Sequence, residues 1–193
     1  MGTPSGSVVA HSWLVCALFA CSEPPSENSE PRCPMGARPD EARATRLRAR
    51  LEGTEAAGYL AAEHRICFTV HGPAVVTDEG DVMLPRDERD DALAARLGHL
   101  LEHIVRGTLR NDPAASCDVL VAEALRREAS AYALEIRLRD GFGLPRAPFV
   151  ELETAYRATG EPGILAWLEA HPEGGAGIDA LARSYHQRCE ANR

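Results

Sequence analysis

The sequence predicts an α+β fold that is mostly helical, with one small antiparallel sheet placed ahead of a long amphipathic helix. Three observations carry this expectation. Apolar residues between positions 87 and 139 recur at helical spacing over two long stretches. The run Ile66-Cys67-Phe68-Thr69-Val70 alternates and is rich in β-formers, and two further short apolar segments flank Asp78-Glu79-Gly80. The chain has 193 residues, 45% of them apolar, enough for one domain with its own core and too few for two comfortable ones.

The first segment is of another kind. Residues 8 to 21 form an apolar run of signal-peptide length, too short to span a bilayer convincingly, which reads as a lipoprotein signal or else as an ordinary secretory signal or a short anchor helix. It ends in Leu18-Phe19-Ala20-Cys21, which resembles the bacterial lipobox, although Phe19 is bulky and no Lys or Arg precedes the run. That resemblance implies cleavage before Cys21, a lipid on its sulfur and a place in the bacterial cell envelope, on the periplasmic or outer-membrane face. Membrane contact would then run through the lipid anchor alone. Residues 22 to 40 carry five prolines among Ser, Glu and Gly, a composition that cannot bury a core and reads as a tether. The expected organisation is a signal peptide over 1–20, a lipidated cysteine and tether over 21–40, and a single domain over 41–193. With Cys16 and Cys21 set aside, Cys33, Cys67, Cys117 and Cys189 remain. In an oxidising compartment they suggest two disulfides in one of three connectivities.

Within the domain, residues 40 to 64 read as helix with a break near Gly53. The segments 66–70, 74–77 and 81–84 make the sheet, and Pro85 ends its last strand. Asp87 with Asp90 three residues on resembles a capping box, and the helix it opens should run to about Arg106 and stop at Gly107. A second helix is capped by Asp112, takes Pro113 in its first turn and continues to Arg139. From Phe149 onward three short helices are separated at 160–163 and 172–177. Leu165, Trp167 and Leu168 read as core, and His171 and His186 as surface.

A net charge of -8, with all 21 basic residues arginine and none clustered, argues against a nucleic-acid surface. The sequence holds no phosphate loop of GxxxxGK type and no GxSxG elbow.

Chemistry is suggested at one place, His99-Leu100-Leu101-Glu102-His103. Two histidines four apart on a helix lie about 40° apart on one face, so both imidazoles can reach one ion, and such nitrogens suit zinc. Glu102 stands about 60° to the side of His99, where a carboxylate can accept a proton from water. Leu93, Leu97, Leu100, Leu101 and Ile104 form the apolar stripe of this helix, while Arg96, His99, Glu102, His103 and Arg106 lie opposite. That opposite face either lines a cleft or meets water, with Glu102 and Arg106 as an ordinary i,i+4 pair. On the second helix, Glu128 and Glu135 fall inside the apolar stripe of Cys117, Leu120, Val121, Ala124 and Ala131. A buried acid must be paired, metal-bound or protonated, so Glu128 is either a third ligand or half of an internal salt bridge.

The order of these parts resembles a minimal gluzincin-like zinc metallopeptidase core over roughly residues 65 to 140: a small sheet, a helix with two histidines, then Glu128-Ala129-Ser130-Ala131-Tyr132 as a Glu-x-x-Ala-aromatic segment. The resemblance implies zinc held by His99, His103 and Glu128, and Glu102 as the catalytic base. Leu100 stands where the family has its glutamate, and the HxxEH order itself is that of the inverzincins, which belong to much larger chains. The implied activity is peptide hydrolysis by metal-activated water, with oxyanion help from Tyr132 or a nearby arginine. An edge strand among residues 74 to 84 could hold an extended peptide. The alternative is a non-catalytic surface lipoprotein whose degenerate zincin fold binds another envelope protein.

Overall fold

Asp40 starts the helical part of the chain by accepting the backbone N–H of Arg43 at 3.0 Å on Oδ1. The helix it caps, α1, spans Glu41–Glu52 and ends at Gly53, after which a 3₁₀ helix runs over Glu55–Ala61. The computed structural model of the chain describes residues 33–34, 36–61, 64–109, 112–175 and 178–193. The signal-like run, Cys21 and residues 22 to 32 of the tether therefore lie outside the described residues. Among the described residues no helix is long and apolar enough to cross a membrane.

The end of the expected tether belongs to the domain. Residues Ala37–Pro39 form strand β1, paired antiparallel with β2 (Ile66–Thr69), and Cys33 is bonded to Cys67 in the middle of β2. A proline-rich stretch cannot bury a core of its own, but it can lie along the edge of a sheet, where Pro39 need not donate to a ladder. The second disulfide joins Cys117 to Cys189, which selects one of the three connectivities.

The fold is α+β, as expected, but the sheet is mixed rather than antiparallel. Its order is β1-β2-β4-β3, with β3 at Val75–Val76 and β4 at Val82–Pro85. The turn at 78–80 makes β3 and β4 an antiparallel hairpin, whereas β4 runs parallel to β2. Burial explains the order. Val82 and Leu84 are fully buried and take a central position, while Val75 is 40% exposed and suits an edge.

Helix α2 spans Asp90–Arg106 and stops at Gly107, whose N–H still bonds the His103 carbonyl at 2.7 Å while its positive φ turns the following chain out of the helix. The expected capping box does not form: Arg89 is the cap residue and offers no side-chain bond. Asp90 is used between helices, accepting from Arg43 Nε at 2.7 Å and Arg46 Nε at 3.2 Å, and Arg50 meets Asp91 in the same way at 2.9 Å. Helix α3 spans Cys117–Gly141 and starts later than expected, capped by Ser116. Asp112 instead accepts the Ala114 N–H in a turn ahead of it. Helices α4 (Val150–Thr159), α5 (Glu161–Ala170) and α6 (Leu181–Ala191) follow at the expected breaks. Leu168 is buried, Trp167 and Leu165 are partly buried, His171 is exposed, and His186 is half-buried beside Asp118.

Two hydrophobic cores result. One joins the sheet, α1 and α2 to Leu134 and Leu138 of α3, and the other joins α3 to α4, α5 and α6. Helix α3 is common to both. It packs tightly on α2 at Gly98, where an added Cβ would stand 2.4 Å from Leu138 Cδ1. Gly98→Val should therefore lower folding stability by about 1–3 kcal/mol through overpacking. Urea denaturation checks this, and an unchanged midpoint would show that Leu138 has room to retreat.

Candidate metal centre

The face of α2 that carries the histidines is withdrawn from water from His99 to His103, and only Arg106 at its end is exposed. This face packs on α3, so His99, Glu102 and His103 are all buried, as are Glu128 and Glu135 opposite them. Spacing brings the groups together. His99 and His103 are one turn apart on α2, Glu128 and Glu135 are two turns apart on α3, and the small residues Ala124 and Ala131 one turn either side of Glu128 leave room for close approach.

Three ligand atoms converge. His99 Nε2 and His103 Nε2 are 3.1 Å apart, and Glu128 Oε2 lies 3.3 Å from His103 Nε2 and 3.8 Å from His99 Nε2. Three atoms with these separations lie on a circle of about 2.0 Å radius, the length of a Zn–N or Zn–carboxylate bond. Two imidazole nitrogens this close must share a proton or a cation, because two bare lone pairs repel. Among the described residues this is the one group of three or more His, Cys, Asp or Glu side chains able to hold a metal ion.

The ligand atoms are themselves oriented. Glu135 Oε2 lies 3.2 Å from His99 Nδ1, close enough for an ion pair though not aligned as a full hydrogen bond. A proton on Nδ1 facing this carboxylate leaves the Nε2 lone pair for the centre, so the tautomer follows from the neighbour. Arg96 Nε donates to Glu135 Oε1 at 2.9 Å, completing the chain Arg96–Glu135–His99. On the other side the Tyr185 hydroxyl of α6 donates to Glu128 Oε1, which leaves Oε2 for the histidines. The Tyr132 ring meets His99 edge-on at 4.7 Å and continues to Phe149 at 5.1 Å.

Electrostatics agree with this pairing. Burial pushes the Glu128 carboxyl up, but His103, His99 and Tyr185 outweigh it and hold the group below the usual carboxylate range. Glu135 is likewise pushed up by burial and held low by His99 and Arg96. Burial and the two nearby carboxylates raise the Tyr132 hydroxyl, which stays protonated.

A cleft of about 450 Å³ opens beside the cluster. Its walls include His99, Leu100, Tyr132 and Glu135, with Ala74 next to the edge strand β3 and Phe149 across from them. Glu102, the base expected from the sequence, is not among the lining residues. Its Oε1 accepts from Ser130 Oγ at 2.5 Å and lies 3.5 Å from Arg106 Nε. The structure thus brings His99, His103 and Glu128 together and leaves Glu102 in a separate polar contact, while Leu100 occupies the cleft wall. Comparison with protein-family models, curated proteins and solved structures finds no match.

Two roles escaped sequence reasoning. Glu135 is visible as a second acid in the α3 stripe, two turns after Glu128, but its partner His99 is known only from the packing. Tyr185 carries no signal at all, since it lies 57 positions beyond the carboxylate it holds. Glu135→Ala strands Arg96 and His99 against each other, so it should cost the metal-free protein roughly 3–5 kcal/mol in a denaturant titration. A loss below about 1 kcal/mol would mean that solvent replaces the carboxylate without penalty.

Proposed function

We propose that this domain is a zinc-binding, zincin-like metallopeptidase module on a bacterial envelope lipoprotein. The observation that carries the reading is the convergence of His99 Nε2, His103 Nε2 and Glu128 Oε2 on a circle of bond-length radius beside an open cleft. Two imidazoles and one carboxylate form a donor set suited to zinc, and three protein ligands rather than four is the pattern of catalytic and not structural sites. When bound, zinc polarises a peptide carbonyl and acidifies water. Glu135 holds the His99 ring in the ligating tautomer, Tyr185 holds Glu128, and Tyr132, whose hydroxyl stays protonated, is part of the cleft wall. The edge of β3 offers unpaired backbone groups to an extended peptide. The lipobox-like Leu18-Phe19-Ala20-Cys21 supports the envelope location.

Hydrolysis also needs a group that takes a proton from water. Glu102 is the carboxylate that the pentapeptide offers, and it is engaged by the Ser130 hydroxyl and the Arg106 guanidinium. Leu100, which does line the cleft, has no proton chemistry. This favours a second reading, in which the domain binds zinc and a peptide segment of an envelope protein without cutting it.

Metal analysis and a peptide-library cleavage assay on the domain starting after Cys21 separate the readings. The expected result is near-stoichiometric zinc in the parent, lost in His99→Ala and Glu128→Ala. If Glu102 is the base, Glu102→Gln keeps zinc and loses cleavage by about 100-fold or more. Full zinc without cleavage would establish the non-catalytic module, and no zinc in the reconstituted parent would sink both.

A further inference from the structure

We propose that Tyr185 is a positioning residue for the ligand Glu128, and that the Cys117–Cys189 disulfide sets the metal centre by docking the helix that carries Tyr185. The inference rests on the metal-centre reading above and extends it to a part of the chain far from the two-histidine helix. Helix α6 has 11 residues, and its only buried side chains are Tyr185 and Cys189. They are four apart and so share one face. Both end on α3. Cys189 is joined to Cys117, the first residue of α3, and the Tyr185 hydroxyl donates to Glu128, about three turns further along the same helix.

The other contacts of α6 are weaker: Leu181 and Ala182 pack, only partly buried, against the second core. Its N-terminus has no side-chain cap, and its ion pairs, Arg183 with Glu173 and His186 with Asp118, are solvent-exposed, each worth at most about 1 kcal/mol. The covalent bond therefore keeps Tyr185 within reach of the carboxylate. With α6 docked, Glu128 Oε1 is occupied and Oε2 alone faces the imidazoles at 3.3 and 3.8 Å. With α6 released, both oxygens become equivalent, the carboxylate rotates freely and water reaches it, so the ligand set is no longer pre-formed. Linkage makes the effect mutual: a metal that prefers the positioned Glu128 must also favour docked α6.

The test uses the domain starting after Cys21, in four forms: the parent, Tyr185→Phe, Cys117→Ser/Cys189→Ser and Cys33→Ser/Cys67→Ser. Each is titrated with Co(II), followed by its visible absorption, and with Zn(II) against a chromogenic chelator, after circular dichroism has confirmed helicity. Tyr185→Phe and Cys117→Ser/Cys189→Ser should weaken binding by roughly 10- to 100-fold and shift the Co(II) bands. Cys33→Ser/Cys67→Ser should lower the melting temperature yet keep affinity within about twofold of the parent, as a change remote from the site. Zinc should also raise hydrogen-exchange protection over residues 181–191 in the parent and much less in Tyr185→Phe. Parent-like affinity and spectrum in Tyr185→Phe would overturn the positioning role. Parent-like behaviour in Cys117→Ser/Cys189→Ser alone would overturn the disulfide's part. A parent that takes up neither ion would overturn the metal-centre reading, and this inference with it.

Discussion

Two imidazoles and three carboxylates lie between α2 and α3, and those helices can pack only if each of the five is paired. An unpaired buried ion costs several kcal/mol, comparable to the whole stability of a small domain. The pairing is accordingly continuous: Arg96 to Glu135 to His99 on one side, Tyr185 to Glu128 to His103 on the other, with the histidines in contact at the centre. The position of α3 against α2 then follows from these contacts together with the close approach at Gly98.

The rest of the molecule braces this interface from two sides. Arginines of α1 clamp the start of α2 through Asp90 and Asp91, and the sheet closes the first core beneath it. Helices α4 to α6 close the second core against the other face of α3. The disulfides are divided in the same way, one anchoring the N-terminal strand to the sheet and the other anchoring the last helix to α3. Because α3 serves both cores, a polar cluster that would be marginal on a single helix pair is shielded by hydrophobic packing on either side.

The same pairing shapes the function proposed. Glu128 and both histidines face one another at separations that suit a divalent ion, and the cleft reaches them from the His99 side. The acids around the site have partners of their own. Glu135 is committed to His99 and Arg96 and Glu102 to Ser130 and Arg106, while Leu100 lines the cleft together with the carboxylates Glu88 and Asp179.

The sequence by itself determined the local features: the α+β class, the long helices from their 3.6-residue periodicity, the stop at Gly107, the three C-terminal helices, and the candidacy of His99, His103 and Glu128 from their spacing and apolar neighbours. These are set by interactions within one or two turns of chain, which a pattern can carry. Tertiary structure decided whatever depends on partners distant in sequence. Helical projection placed the histidines opposite the apolar stripe, yet the second core covers that face and buries them. The cap expected of Asp87 and Asp90 was lost because Asp90 meets two arginines 44 and 47 positions away. Strand β4 runs parallel to β2 because its buried side chains need the centre of the sheet. Glu102 was drawn into contact with Ser130 and Arg106, and Tyr185 was brought to Glu128 by a helix that a disulfide, one hydroxyl and the His186–Asp118 pair tie to α3. No spacing rule in the chain could register those encounters, because their energy exists only once the two helices have met.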